Sequence, residues 1–255
     1  MKDRILQELR RIEPQHGIRI LLAVESGSRA WGFASPDSDY DIRFIYAHRP
    51  DWYLSVFEAR DVIEEMLPDQ LDISGWELRK ALRLFSKCNL ALNEWLGSPI
   101  TYSEVSDFRR QLLDLIPYYF NPIAAIHHYR SMADRSLSEH LVDDHISIKK
   151  IFYVLRPLLA CRWIERRASQ PPTEFQELLL ADGVTADEHQ WIEHLLDQKS
   201  TAAEAHPLQL DQRRIDSIRS ELRRYETAET LVQAPERKPA VELNAVLRQW
   251  IETPQ

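Results

Sequence analysis

Two apolar, β-branched runs separated by a polar, glycine-bearing stretch constrain this chain more than any other feature. Residues 18–24 read I-R-I-L-L-A-V and residues 42–47 read I-R-F-I-Y-A, each with the length and composition of a buried strand. Between them lies E-S-G-S-R-A-W-G-F-A-S-P-D-S-D-Y-D, which carries a small-residue turn, Gly27-Ser28, and two alternating acids, Asp39 and Asp41. Buried strands joined by such a loop place it at one edge of a sheet, where binding and catalytic groups collect. Acids at the start of the second strand would face the turn that ends the first. That arrangement suggests a phosphate and metal site.

The rest of the chain supplies helices around this unit. Ile5, Leu9 and Ile12 share one face of a helix expected over residues 2–12 and ended by Glu13-Pro14 and Gly17. Pro50-Asp51 breaks the chain, and residues 56–67 fit strand or helix equally. Residues 70–76, Q-L-D-I-S-G-W, read as a third strand with Leu71 and Ile73 turned inward, which turns Asp72 outward. From Glu77 the spacing is helical, with further helices expected near 104–116, 122–141, 146–168, 174–181, 186–198, 209–230 and 240–253. Five of the six glycines precede residue 100, and no strand-like run follows it. The organisation predicted is a mixed α and β core over residues 1–100 and an all-helical domain over 101–255. Residues 234–239, A-P-E-R-K-P, read as a short linker before a last helix.

Composition narrows the partners. A net charge of −8 argues against a protein that grips long nucleic acid through many phosphates, so any such contact is expected to be short and local. No apolar run approaches the roughly 18 residues a bilayer span needs. The amino terminus, M-K-D-R-I-L-Q-E-L-R-R-I, lacks the apolar core of a signal peptide, and a cytoplasmic location is expected. Cys88 and Cys161 sit in apolar, helix-like runs and read as buried thiols.

Asp39 and Asp41, two residues apart, project from one face of the strand start and repel each other unless a cation intervenes. Oxygen ligands without histidine or cysteine favour Mg²⁺ or Mn²⁺ over zinc. Asp72 offers a third carboxylate, and three such acids suit a two-metal site. Gly27 lets the backbone approach a phosphate, the Ser28 hydroxyl and nearby amides can hold its oxygens, and Arg29 adds charge. The alternative reading is a solvated turn, since S-P-D-S-D is good turn chemistry. In the helix near 146–164, Lys149, Tyr153 and Arg156 recur at helical spacing, either as a solvated polar edge or as a cationic stripe facing a nucleotide across an interdomain cleft. His127, His128, His140 and His145 lie near Asp143-Asp144 without the spacing of a zinc motif. Walker and G-x-G-x-x-G phosphate loops are absent.

The G-S-x₁₀-D-x-D pattern followed by an apolar-Asp-apolar strand resembles the DNA polymerase β-like nucleotidyltransferase superfamily. The longer segments, G-S-R-A-W-G-F-A-S-P-D-S-D-Y-D-I-R-F-I-Y, L-D-I-S-G-W-E-L-R-K-A-L and K-K-I-F-Y-V-L-R-P-L-L, are similar to the predicted nucleotidyltransferases that include RNA-ligase-associated polymerase-like proteins. The match spans residues 18 to about 164. The resemblance implies an α+β fold: a mixed-sheet palm with helices, followed by a helical domain, and an active site in the cleft between them. It implies Asp39, Asp41 and Asp72 as metal ligands, with Asp72 also helping to activate the acceptor hydroxyl. Gly27 and Ser28 would bind the β- and γ-phosphates of an NTP substrate. The reaction implied is metal-dependent transfer of a nucleoside monophosphate to a hydroxyl, with an RNA 3′ end as the first acceptor expected and RNA repair as the setting. Transfer of AMP to a protein and non-catalytic NTP sensing are the alternatives.

Overall fold

The computed structural model describes residues 1–68, 70–181, 183–201, 206–233 and 241–252. In chain order the elements are α1 (Lys2–His16), β1 (Ile18–Glu25), α2 (Gly27–Ala30), β2 (Tyr40–His48), α3 (Pro50–Tyr53), β3 (Val62–Leu67) and β4 (Leu71–Glu77). Then come α4 (Leu78–Ser86), α5 (Leu90–Leu96), β5 (Thr101–Glu104), α6 (Phe108–Leu113) and α7 (Ile116–Tyr119). The later elements are α8 (Pro122–His140), β6 (His145–Ser147), α9 (Ile148–Arg167), α10 (Phe175–Leu179), α11 (Ala186–Thr201), β7 (Pro207–Gln209) and α12 (Gln212–Arg224), followed by a 3₁₀ turn (Tyr225–Thr230) and α13 (Val241–Glu252). The fold class is α+β.

The chain packs as two compact units. The first comprises Met1–Ala30, Asp39–Tyr119 and Glu236–Gln255, and the second Trp31–Ser38 and Phe120–Pro235. This division falls differently from the change of pattern at residue 100. The first unit runs on to Tyr119 and takes up α13, whose Trp250 meets the Phe108 ring edge-on at 5.2 Å and donates to Gln111. The proposed linker at 234–239 lies outside the described residues.

In the first unit a five-stranded sheet runs β3-β4-β2-β1-β5, with β2 and β4 parallel and the other pairs antiparallel. Strand alternation sorts its residues by face. Ile42, Phe44 and Tyr46 of β2, with Leu71 and Ile73 of β4, pack against Ile5, Leu9 and Ile12 of α1. The helix expected to stop at Glu13-Pro14 continues to His16, with Pro14 inside its last turn and the left-handed Gly17 as its cap. The opposite face of β2 and β4 carries Asp41, Arg43 and Asp72 at one end. At its other end Trp76 lies 4.0 Å from Trp95 of α5. Two expectations need correction. Residues 62–67 are a strand, which makes 71–77 the fourth, and strands do occur after residue 100. β5 is a half-polar edge strand, and β6 and β7 have three residues each, too short for any periodicity to register.

The second unit is built on α8 and α9, joined by α10–α12 and the small β6–β7 sheet. The segment between the G-S turn and Asp39 belongs to it. Phe33 stacks on Phe152 of α9 at 5.0 Å and meets Phe175 edge-on, and the Phe175 amide donates to the Trp31 carbonyl. The Lys199 ammonium is buried and donates to the Ser35 hydroxyl at 2.6 Å. Arg162 is held by Glu188 and Glu221 together, which satisfies a largely buried guanidinium. Both cysteines are buried, as their apolar surroundings predict. Among the described residues no helix is long and apolar enough to cross a membrane.

Candidate active site

β1 ends at Glu25, and the chain reverses through Ser26 and Gly27. The Ser26 amide donates to the Asp41 carbonyl at 2.8 Å, which ties the turn to the start of β2. Gly27 has φ +61°, and a β-carbon there would lie 2.2 Å from Asp41 Oδ2. Only glycine allows both the left-handed backbone and that approach. Ser28 is buried and Arg29 stays nearby, its Nε donating to the Asp39 carbonyl and its guanidinium lying 3.7 Å from the Tyr40 ring centroid. Because α2 has only four residues, any phosphate contact here rests on the Gly27 backbone and Ser28 rather than on a helix dipole.

Parallel pairing of β2 and β4 sets Asp41 directly opposite Asp72. Their side chains therefore leave the same face of the sheet, as the parity of Leu71 and Ile73 predicts. Between them stands a cation already in the chain. Arg43 Nη2 lies 3.0 Å from Asp41 Oδ1 and 2.7 Å from Asp72 Oδ2, and Nη1 donates to the carbonyls of Ile42 and Asp72. Asp39 is not drawn into this pair. It is exposed, and its backbone carbonyl rather than its carboxylate makes the local contact. Among the described residues no three His, Cys, Asp or Glu side chains stand gathered to hold a metal ion.

Beneath the pair lies Glu25, which is 0% exposed. Its carboxylate accepts the Asp41 amide at 2.7 Å and the Tyr102 hydroxyl of β5, and burial raises its pKa against these two hydrogen bonds. Burial, with this carboxylate next, pushes the Tyr102 hydroxyl well above its ordinary value. Sequence reading had assigned no role to Arg43, Glu25 or Tyr102. For Arg43 a signal was available, since D-x-D-x-R places it on the same strand face as the acids. For Glu25, a carboxylate at the end of an apolar run gave only the hint that it must be paired.

The Asp41 and Asp72 carboxylate oxygens from adjacent strands are the hard donors a divalent cation takes, while the Arg43 guanidinium between them is itself a cation that would have to leave for one to bind. The other residues expected at the site lie in the second unit. Arg156 of α9 is 2% exposed rather than standing on an open stripe. Its guanidinium lies 4.5 Å from the Trp31 ring centroid, and Nη2 donates to the Thr173 carbonyl. Tyr153 meets Trp31 edge-on at 5.7 Å, and Lys149 is half-buried. His127 pairs with Glu229, His145 with Asp144, and His140 with the Ser136 carbonyl, so these histidines serve local contacts.

A glycine turn set against paired carboxylates on a mixed sheet belongs to a nucleotidyltransferase of the polymerase β type, and comparison with known proteins gives the same class. The chain belongs to the RNA repair pathway DNA polymerase beta family, RlaP, whose model matches residues 1–249. It is 46% identical over 256 residues to the uncharacterized protein YcgL of Bacillus subtilis (strain 168), covering 99% of this chain and 97% of that protein. Among solved structures, a nucleotidyltransferase-like protein from Exiguobacterium sibiricum 255-15 aligns over 96% of this chain and 80% of its own, at 12% identity. Its TM-score is 0.31, too low for the likeness to bear on the fold.

Proposed function

We propose that this nucleotidyltransferase moves a nucleoside monophosphate from an NTP to an acceptor hydroxyl, with an RNA 3′ end as the acceptor. The observation that carries the reading is the convergence of Gly27, Asp41 and Asp72. A β-carbon at the turn would collide with Asp41, and Asp41 faces Asp72 in register. In this reading the Gly27 backbone and the Ser28 hydroxyl hold the β- and γ-phosphates, and Glu25 fixes the strand that carries Asp41. Asp41 and Asp72 would hold divalent ions, Mg²⁺ or Mn²⁺, with the exposed Asp39 free to turn toward them. Bound there, such ions neutralise the triphosphate and lower the pKa of the acceptor hydroxyl. With ions held there, Arg43 would give up its bridge to the two carboxylates while its contacts to the Ile42 and Asp72 carbonyls could remain. Asp72 orients the acceptor hydroxyl. The hydroxyl oxygen forms a bond to the α-phosphorus, the bond from that phosphorus to the bridging oxygen of the β-phosphate breaks, pyrophosphate leaves and the hydroxyl proton passes to solvent.

The test is incubation with α-labelled NTPs, Mg²⁺ or Mn²⁺, and separately RNA or whole-cell protein. Label on RNA with release of pyrophosphate is expected, and Asp41→Asn should abolish it while leaving the circular dichroism spectrum and unfolding midpoint near those of the parent. Full activity in that variant would sink the site assignment. Label on protein instead of RNA would replace the acceptor.

A further inference from the structure

Wholly within the second unit, residues of α9, α11 and α12 surround a hollow of about 530 Å³. That volume lies in the range that holds a small ligand, and neither the Gly27-Ser28 turn nor the carboxylates of the first unit line it. Part of the lining is apolar: Leu155, Leu158 and Leu159 of α9 and Ile218 of α12, all buried. Trp191 of α11 adds a half-buried ring, with the Arg214 guanidinium 4.6 Å from its centroid.

The rest of the lining is charged, and its acids and arginines are engaged to different degrees. Glu165, Glu188 and Glu221 are shielded, at 18%, 17% and 14% exposed, and their oxygens are occupied. Both oxygens of Glu188 and both of Glu221 accept from Arg162, while those of Glu165 accept from Arg224 and the Tyr225 hydroxyl. The exposed Asp187 has one oxygen facing Arg214 at 2.8 Å and Arg213 at 3.6 Å. A guanidinium carries five N–H donors, and several of these arginines use few of them. Arg213 is 80% exposed with only that long contact, and Arg224 meets its carboxylate through one nitrogen. Arg166 makes no hydrogen bond or ion pair among the described residues. Its guanidinium rests against Gly183, where φ is +101° and a β-carbon would lie 2.5 Å from Nη2. The hydrogen-bonding capacity left in the hollow is therefore mainly donor.

Charge follows the same division. Arg166, Arg213, Arg214 and Arg224 face two carboxylates, Asp187 and Glu165, and leave a surplus of about two positive charges. The shielded Arg162 cluster, with two carboxylates to one guanidinium, carries about one surplus negative charge. A phosphate monoester brings about −1.5 to −2 and three acceptor oxygens, which matches the first group, while the second keeps it from moving inward.

We infer that this hollow is a second ligand site, which takes a small phosphate monoester carried on a flat ring, in the chemical class of a nucleoside monophosphate. Arg166 and Arg213 receive the phosphate, and Trp191 with the leucines of α9 receives the ring. The site does not depend on which hydroxyl the catalytic centre extends.

The experiment is calorimetric titration with AMP, adenosine and inorganic phosphate, in EDTA so that no metal-bound nucleotide forms at Asp41 and Asp72. AMP should bind the parent more tightly than either fragment, and added salt should weaken it. Arg166→Ala and Arg213→Ala, both at exposed positions, should each weaken AMP roughly tenfold with the melting temperature near that of the parent. Asp41→Asn should leave AMP affinity unchanged, so an enzyme that fails to label RNA can still pass this test, and an active one can fail it. A parent that ignores AMP, or an affinity that survives both arginine variants, would overturn the inference. Loss of AMP in Asp41→Asn would place the ligand at the catalytic centre instead and overturn it equally. Phosphate bound as tightly as AMP would refute the ring, and an oligoribonucleotide held through Arg166 while AMP is ignored would refute the small ligand.

Discussion

Gly17 and Gly27 share one backbone conformation, φ +60° and +61°, and differ in what a β-carbon would meet. At Gly17 nothing lies within 4 Å, whereas at Gly27 Asp41 Oδ2 would be 2.2 Å away and Asp41 Cγ 3.1 Å. The pair turns Gly27→Ala into a controlled perturbation. The left-handed conformation costs alanine about 1–2 kcal/mol, offset by about 0.4–1 kcal/mol from the stiffer unfolded chain. Gly17→Ala therefore loses about 1 kcal/mol. Gly27→Ala adds a collision, and restoring ordinary contact moves the Asp41 carboxylate by about 1.2 Å. Driving that side chain off its rotamer adds about 0.5–1.5 kcal/mol, for a total loss of about 2 kcal/mol. A domain stable by about 5–15 kcal/mol stays folded under that load. Displacing a catalytic group by about 1 Å costs roughly 100-fold in rate. Urea unfolding and labelled-NTP transfer to RNA read the two effects separately. Gly27→Ala should lose about 2 kcal/mol and fall roughly 100-fold in kcat, and Gly17→Ala should lose about 1 kcal/mol and keep its kcat. A Gly27→Ala enzyme at the parent's rate, or a Gly17→Ala enzyme as impaired as Gly27→Ala, would refute the reasoning.

Two further outcomes are expected. Arg43→Gln leaves Asp41 and Asp72 facing each other without a cation, at a half-buried site where the loss should be about 1 kcal/mol in chelator. Added Mg²⁺ or Mn²⁺ should raise the melting temperature of that variant more than that of the parent, and equal increments would argue against a metal between these carboxylates. Cys161 is fully buried, and desolvation raises its pKa well above the ordinary thiol value, so the thiolate is suppressed across the neutral and mildly alkaline range. Mass spectrometry after iodoacetamide treatment at mildly alkaline pH should find it unmodified until denaturant is added. Rapid labelling of the folded protein would contradict the burial.

What could be read from the sequence, and what could not, divides by the range of the interaction. Strand parity is local. It turned Leu71 and Ile73 inward and Asp72 outward and put Asp39 and Asp41 on one strand face, so the candidate carboxylates were legible without coordinates. Register is not local, and what it adds is the exact partnership of Asp41 with Asp72 and the place of Arg43 between them. Two carboxylates on adjacent strands imply a cation; the chain supplies one from two residues further along the same strand. Asp39 shows the limit of spacing arguments, because sharing a face with Asp41 did not bring its carboxylate into the pair. The segment Trp31–Ser38 shows a longer-range limit. Its turn residues read as a loop, yet Phe33 packs on Phe152 and Phe175, and Ser35 receives Lys199 from 164 positions away. Arg156 follows from the same segment. A cation at helical spacing suggested an open stripe, but the Trp31 ring and the Thr173 carbonyl make a buried position tolerable for it. The ten residues between Ser28 and Asp39 thus do more than set a distance. They carry the apolar anchors of one unit through the middle of a motif whose chemistry belongs to the other, so shortening that spacer should damage the packing of the second unit as well as the site.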